Sequence, residues 1–186
     1  MAEPRSPRIE LPVDERLRLK PLVAEYADAL DAVIAESRAE LARWLPWVEA
    51  HRGPDDLRAY IALVDERRSR ALAETTFAIF YDGAPIGAIE LHGPTGLHDV
   101  TSVGYWLGTG FTGRGIMTKS LVRFSDFAFE AHEIRRLELY AVVDNLKSRR
   151  VAERAGFTFE AVLRNRLKLG GDYLDAALYA RFPEKK

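Results

Sequence analysis

The sequence predicts an α/β protein of the mixed, α+β kind, with helices packed on a mixed sheet. Three observations carry this. Strand-like runs alternate with helical stripes along the chain. Asp82-Gly83 joins two of the runs as a hairpin, which makes part of the sheet antiparallel. A glycine-rich stretch, Gly108 to Gly115, sits where a strand passes into an amphipathic helix.

Taken in order, Leu17-Arg18-Leu19 alternates and predicts the first strand. From Leu22 to about Trp44, Leu22, Tyr26, Leu30 and Val33 recur at helical spacing, as one helix or two. Trp44-Leu45-Pro46-Trp47 interrupts them. Pro54 with Asp55-Asp56 is a helix start, and Leu57, Tyr60, Ile61 and Val64 form its stripe to about Leu72. Thr75 to Tyr81, Ile86 to His92 and Val100 to Leu107 read as strands. Ile116 to about Ala131 reads as a helix with Met117, Leu121, Phe124 and Ala128 on one face. Leu137 to Val143 is a strand. Ser148 to Ala155 is a short helix stopped by Gly156. Phe157 to Leu163 and Tyr173 to Phe182 are the last strands, with Gly170-Gly171-Asp172 turning between them. The order is β-α-α-β-β-β-α-β-α-β-β.

A chain of 186 residues is expected to be one domain, residues 1–186, with solvated tails at about 1–10 and 183–186. Apolar content of 47% and charged content of 30% fit a soluble globular protein. The net charge of −1 gives no general attraction for nucleic acid or acidic membranes, and neither is expected as a partner. There is no cysteine, which removes disulfides and thiolate chemistry and fits a cytoplasmic location. No signal peptide is expected, and no apolar run approaches the roughly 20 residues of a membrane span. His51, His92, His98 and His132 lack ligand spacing, so no metal is expected.

Gly108-Thr109-Gly110-Phe111-Thr112-Gly113 matches the dinucleotide fingerprint G-x-G-x-x-G. Its context does not fit. The fingerprint belongs to the first βαβ turn of a parallel sheet, and here three strands predicted to be antiparallel precede it. No acidic residue ends the next strand at about 20 residues' distance. Gly113-Arg114-Gly115 instead opens a helix, where free N–H groups and the helix dipole suit a pyrophosphate. The absence of a following Gly-Lys-Ser/Thr excludes a P-loop.

In this context Gly110-Phe111-Thr112-Gly113-Arg114-Gly115 resembles the Q/R-x-x-G-x-G/A loop of the GNAT superfamily of acyl-CoA-dependent N-acyltransferases, with Gly110 departing at the first position. Gly104-Tyr105-Trp106-Leu107 resembles that family's splayed central strand. Asn145-Leu146-Lys147-Ser148 resembles its N-x-x-S element, and Arg154-Ala155-Gly156-Phe157 its helix-to-strand ending. Trp44-Leu45-Pro46-Trp47, Gly115-Ile116-Met117, Val143-Asp144-Asn145 and Gly171-Asp172-Tyr173 are similar to the RimL-like members, which acetylate α-amino groups of ribosomal proteins.

The resemblance implies acetyl-CoA as co-substrate. Phe111, Thr112, Gly113, Arg114, Gly115, Ile116, Met117 and Thr118 would hold its pyrophosphate. The backbone around Trp106 and Leu107, with Asn145, would hold pantetheine. Ser148 stands at the position of the general acid toward the CoA sulfur. The other reading of Ser148 is a helix-start hydroxyl capping its own turn. Trp44, Trp47 and Tyr105 are candidates for the acceptor groove, although the two tryptophans would serve equally as core. Lys147, Arg149, Arg150 and Arg154 could meet the adenosine phosphates or be a solvated helix face.

The general base is not given directly. Where many members carry Glu two residues before Gly-Tyr, Ser102 stands here. Where RimL-like enzymes carry Glu before the last turn, Leu167 stands. Glu90 and His92 remain, alternating with Ile89 and Leu91 and so sharing one face. A solvated sheet edge is the other reading of that pair. An α-amine with a pKa near 8 needs little help from a base.

The expected function is N-acetylation of a protein or peptide α-amine, and a second copy of the chain, as a homodimer, is among the expected partners. The alternatives are a small-amine or antibiotic N-acyltransferase and a non-catalytic acyl-CoA-binding or sensing domain.

Overall fold

Strand β3 (Thr76–Tyr81), with the sequence TFAIFY, is buried on both faces except at Tyr81, as its unbroken apolar run requires. Phe77 and Ile79 point into one hydrophobic cluster and Ala78 and Phe80 into another, so two cores lie on opposite sides of one sheet. The computed structural model describes residues 9–71, 75–93 and 99–184, with the backbone alone for 67–71. The expected front tail up to residue 8, Leu72, His98 and residues 185–186 lie outside the described residues.

The chain runs β1 (Leu11–Pro12), β2 (Leu17–Pro21), a 3₁₀ turn at Ala24–Tyr26, α1 (Ala27–Leu41), α2 (Trp47–Ala50) and α3 (Pro54–Ala71) before β3. It continues as β4 (Ala84–His92), β5 (Val100–Leu107), a 3₁₀ turn at Thr109–Phe111, α4 (Ile116–Ala131), β6 (Arg136–Val142), α5 (Leu146–Arg154), β7 (Thr158–Leu169) and β8 (Asp172–Arg181). The described strands form a sheet in the order β1-β2-β3-β4-β5-β6-β8-β7. The predicted mixed α/β class and element order hold. The additions are two short elements, β1 and α2, below the length that periodicity can register. No helix among the described residues is long and apolar enough to cross a membrane.

Local chemistry explains the joints. Asp82 and Gly83 have φ of 50° and 82°, the left-handed pair that a two-residue hairpin between β3 and β4 needs. Helix α1 begins later than predicted, behind the 3₁₀ turn, and buries Ala27, Leu30, Ile34 and Leu41 rather than Val33. Helix α5 begins two residues earlier than predicted, because the Asn145 side chain accepts from the Ser148 N–H at 3.1 Å and caps it. It ends as predicted at Gly156. The Phe157 N–H reaches the Ala152 carbonyl and the Gly156 N–H the Glu153 carbonyl, a Schellman closure.

Helices α4 and α5 pack on one face, where Ile116, Met117, Leu121 and Phe124 of α4 join Ile89, Val103 and Leu139 of the sheet. Helices α1, α2 and α3 pack on the other through Leu30, Ile34, Val48, Leu57 and Ile61. Strands β5 and β6 are the only parallel neighbours among the described strands. They pair over Val100↔Arg136, Thr101↔Leu137 and Ser102↔Glu138 and then part, although both continue. The sheet is therefore open between them, and the opening connects its two faces.

Candidate active site

A cleft of ≈ 890 Å³ occupies this opening, within the range of small-molecule sites. Its lining comes from α1 and the Trp44 to Trp47 turn, from β4, β5 and β6, from the glycine loop, from the start of α5 and from β7.

The backbone of β5 determines which groups face the opening. The Gly108 N–H bonds the Ile86 carbonyl, and β4 and β5 are antiparallel with Ala88 opposite Trp106 and Glu90 opposite Gly104. Bonded pairs alternate in such a ladder, so the backbone groups of Trp106 and Gly104 are committed to β4. Those of Tyr105 and Leu107 point the other way, to where β6 has departed. This corrects the expectation for Trp106: its N–H is spent inside the sheet, and Tyr105 and Leu107 present the free edge.

The glycine loop is corrected in a similar way. Phe111 donates its N–H to Gly108 and Thr112 donates its own to Thr109, so neither can offer it to an anion. The N–H groups of Gly113, Arg114, Gly115, Ile116, Met117 and Thr118 have no protein acceptor among the described residues. Gly113 and Gly115 take φ of 77° and 74°, which glycine alone adopts without strain. A Cβ at either would meet no protein atom within 4 Å, so the space in front of the loop is open. Ile116 and Met117 bury their side chains in the core and so fix the helix N-terminus. The Arg114 side chain lies toward the Phe111 ring, 5.7 Å from its centroid, rather than in the cleft.

Ser148 and Tyr105 meet on the α4–α5 side. Their hydroxyls are 2.9 Å apart, and the Tyr105 hydroxyl also lies 3.3 Å from the Ser148 carbonyl. Burial pushes the Tyr105 phenol up to about 12, so it keeps its proton at neutral pH. Tyr105 lines the same cleft as Trp44 and Trp47, and its hydroxyl is engaged with Ser148. Asn145, not the Ser148 hydroxyl, caps α5, and the Ser148 hydroxyl is engaged by Tyr105 instead of by its own helix turn.

Glu90 and His92 lie on the opposite, α1–α3 side and share one face as predicted. Glu90 accepts a hydrogen bond from the Tyr60 hydroxyl of α3, and His92 Nε2 stands 3.7 Å from its other oxygen. The side chains are 29% and 53% exposed, so this is a cleft wall rather than a free sheet edge. Gly104 makes room for the imidazole, since a Cβ there would fall 2.0 Å from His92 Nε2. Ser102 and Leu167, which occupy the alternative base positions, also line the cleft.

Trp44 and Trp47 line the rim and neither is core. Trp47 is 39% exposed and meets Trp106 edge to face at 6.2 Å, while Trp44 carries the Arg43 guanidinium at 5.2 Å. The basic group divides. Lys147 pairs with Glu40 of α1 at 2.8 Å, an ion pair that joins elements from the two faces and lowers the Glu40 carboxyl below its ordinary value. Arg149 turns inward to the Tyr179 hydroxyl and the Val143 carbonyl, so it leaves the patch. Arg150 and Arg154 stay beside the glycine loop, with Arg154 on the Thr118 hydroxyl at 3.3 Å. His51 is buried against Asp31 at 2.7 Å, and no cluster of three or more metal-ligating side chains occurs among the described residues.

Sequence reasoning passed over Tyr60, Glu40 and Arg166. Tyr60 reads in the sequence as one residue of an apolar stripe, and Glu40 as a charge on a helix. Arg166 directly precedes Leu167, but nothing in the local pattern separates it from a solvated strand residue.

A central strand splayed from its parallel neighbour, with an anion-ready helix N-terminus below and a cleft through the sheet, defines the acyl-CoA transferase architecture. The chain belongs to the GNAT acetyltransferases, the Acetyltransferase (GNAT) domain family matching residues 16–158. It is 32% identical over 169 residues to YdaF of Bacillus subtilis (strain 168), provisionally named a ribosomal N-acetyltransferase, covering 90% of this chain and 92% of that one. It is 29% identical to the ribosomal-protein-serine acetyltransferase of Escherichia coli (strain K12), over 91% and 94% of the two chains. Among solved structures it resembles RimL, the ribosomal L7/L12 alpha-N-protein acetyltransferase in complex with coenzyme A. The TM-score is 0.87 at 28% identity, over 94% of this chain and 98% of that one.

Proposed function

We propose that the protein transfers the acetyl group of acetyl-CoA to the N-terminal α-amine of a protein or peptide, in the cytoplasm. The observation that carries the reading is the opening between β5 and β6. It lets a thioester laid along Tyr105 and Leu107 be approached by an amine from the Glu90 side while its sulfur stays near Ser148. The ribosomal-protein acetyltransferases among its relatives support the choice of acceptor.

In this reading the free N–H groups from Gly113 to Thr118 take the pyrophosphate, aided by the α4 dipole and by Arg150 and Arg154. Pantetheine extends the sheet along the open edge of β5, with the Asn145 amide group within its path. The backbone N–H groups of Tyr105 and Leu107 are the donors available to the thioester carbonyl. The acceptor amine enters between Glu90 and Trp47. Its nitrogen lone pair attacks the carbonyl carbon, the C–S bond breaks, and the nitrogen proton passes to the Glu90–His92 pair. The sulfur leaves as a thiolate, to which the Ser148 hydroxyl donates a hydrogen bond. Tyr105, which keeps its own proton, donates its O–H to the Ser148 oxygen and so turns the serine O–H toward the sulfur.

The test is thiol release from acetyl-CoA with peptides beginning in Ser or Ala, set against polyamines and aminoglycosides, with the product located by mass spectrometry. The expected result is acetylation at the peptide α-nitrogen. Release with polyamines or aminoglycosides alone would refute the acceptor assignment.

A further inference from the structure

We propose that Arg166 recognises a carboxylate of the acceptor, and that the preferred acceptor is a peptide N-terminus carrying Asp or Glu at its second or third position. This rests on the reading of the chain as an N-terminal acetyltransferase and names the substrate class of that same cleft.

Three features direct Arg166 into the cleft. Strand β7 is irregular here: Leu163 pairs with Ala176 and Leu167 with Leu174, so β7 carries two residues more than β8 over this span. Such a bulge re-aims the side chains it contains. Asn165, inside the bulge, takes φ of 53°, and its N–H is held by the Asp175 carboxylate at 2.9 Å. The Arg166 guanidinium then lies over the Tyr140 ring of β6, 4.7 Å from its centroid. That ring is itself anchored, because the Tyr140 hydroxyl donates to Glu138 at 2.5 Å and Arg136 holds Glu138 at 2.7 Å.

The other charges on this side have partners. Glu40 is neutralised by Lys147 and Arg43, while Glu138 shares Arg136 with Glu160. What remains is Glu90 with His92 on β4 and Arg166 across the opening. Arg166 makes no ion pair with a carboxylate among the described residues. An acceptor with an ammonium at one end and a carboxylate a short way along complements that pair. The guanidinium stands over β6, the neighbour of β5, at least about 5 Å across. An extended peptide advances about 3.4 Å per residue, so a side chain at position two or three reaches it. A guanidinium also matches a carboxylate with two parallel hydrogen bonds, which a lysine could not reproduce.

The test compares matched hexapeptides with Asp, Asn or Lys at position two or three, on the unmodified protein, R166A, R166K and R166E. With the unmodified protein, kcat/KM on the Asp peptide should exceed that on the Asn peptide about fivefold, the scale of a half-exposed charge pair. R166A should bring the ratio near one, R166K should retain part of it, and R166E should favour the Lys peptide. CoA affinity and melting temperature should stay unchanged in all three variants. Equal rates on Asp and Asn peptides, or a preference that survives R166A, would overturn the proposal. Tryptophan fluorescence of the CoA complex, titrated with the same peptides, reads the discrimination without turnover. Arg166-dependent binding without acetylation would keep this inference and refute acetyl transfer. Equal acetylation of all N-termini would do the reverse.

Discussion

The α4–α5 side of β5 is built from backbone and short side chains, and the α1–α3 side from long, half-exposed ones. On the first side the working groups are six N–H groups at a helix start, the free edge of Tyr105 and Leu107, and a hydroxyl held at 2.9 Å. Their positions follow from buried Ile116 and Met117 and from the Asn145 cap. On the second side Glu90, His92, Trp47 and Arg166 line the cleft with partly exposed side chains. A pyrophosphate and a thioester are the same for every acceptor, so a rigid arrangement serves them. Acceptors differ, and surface side chains can change without moving the sheet.

The comparison is broken if the rigid side proves dispensable. Ser148→Ala should lower kcat about 10²-fold with CoA affinity nearly unchanged, the low end for acid assistance because a thiolate leaves well. Unchanged kcat in stopped-flow thiol release would remove Ser148 from the chemistry. Gly115→Val should weaken CoA binding about tenfold by calorimetry, since it strains a left-handed residue and fills the anion's space. Tyr105→Phe should lower kcat several-fold and be non-additive with Ser148→Ala, as expected if the tyrosine acts through the serine. Burial raises the Tyr105 phenol from 10 to about 12, which favours the protonated form in the folded state. The linked stability is complete below pH 10 and is lost as pH rises toward 12. Tyr105 therefore contributes no limb to the kcat–pH profile between pH 6 and 9, and the profile of Tyr105→Phe should keep its shape there. Asn145→Ala, the smallest effect, should cost about 1 kcal/mol and lower Tm by about 2–4 °C through the lost cap.

Much of the rigid side was legible in the sequence because its signals are local. Gly113, Gly115, Gly156 and Asp82-Gly83 each sit at a left-handed backbone position that residue type announces. Ser148 and Asn145 stand in a short motif on a helix start. What misled was the assignment of individual N–H groups. Trp106, Phe111 and Thr112 lie within the right segments, but their donors are consumed by Ala88, Gly108 and Thr109, which only register and turn geometry decide. Strand alternation puts Tyr105 and Trp106 on opposite faces but does not say which helices each face meets.

From the residues alone came the mixed α/β class, the order of elements, the anion-ready loop and the shared face of Glu90 and His92. These depend on periodicity and on backbone preferences spanning a few residues. Tertiary structure alone decided that β5 and β6 part after Ser102↔Glu138, that Tyr105 meets Ser148 across 43 positions, and that Arg166 lines the same cleft as Glu90 from another strand. Each is a meeting of segments far apart in the chain. Such meetings depend on how the two cores pack against one sheet, and that packing energy is spread over many side chains rather than written in any one stretch.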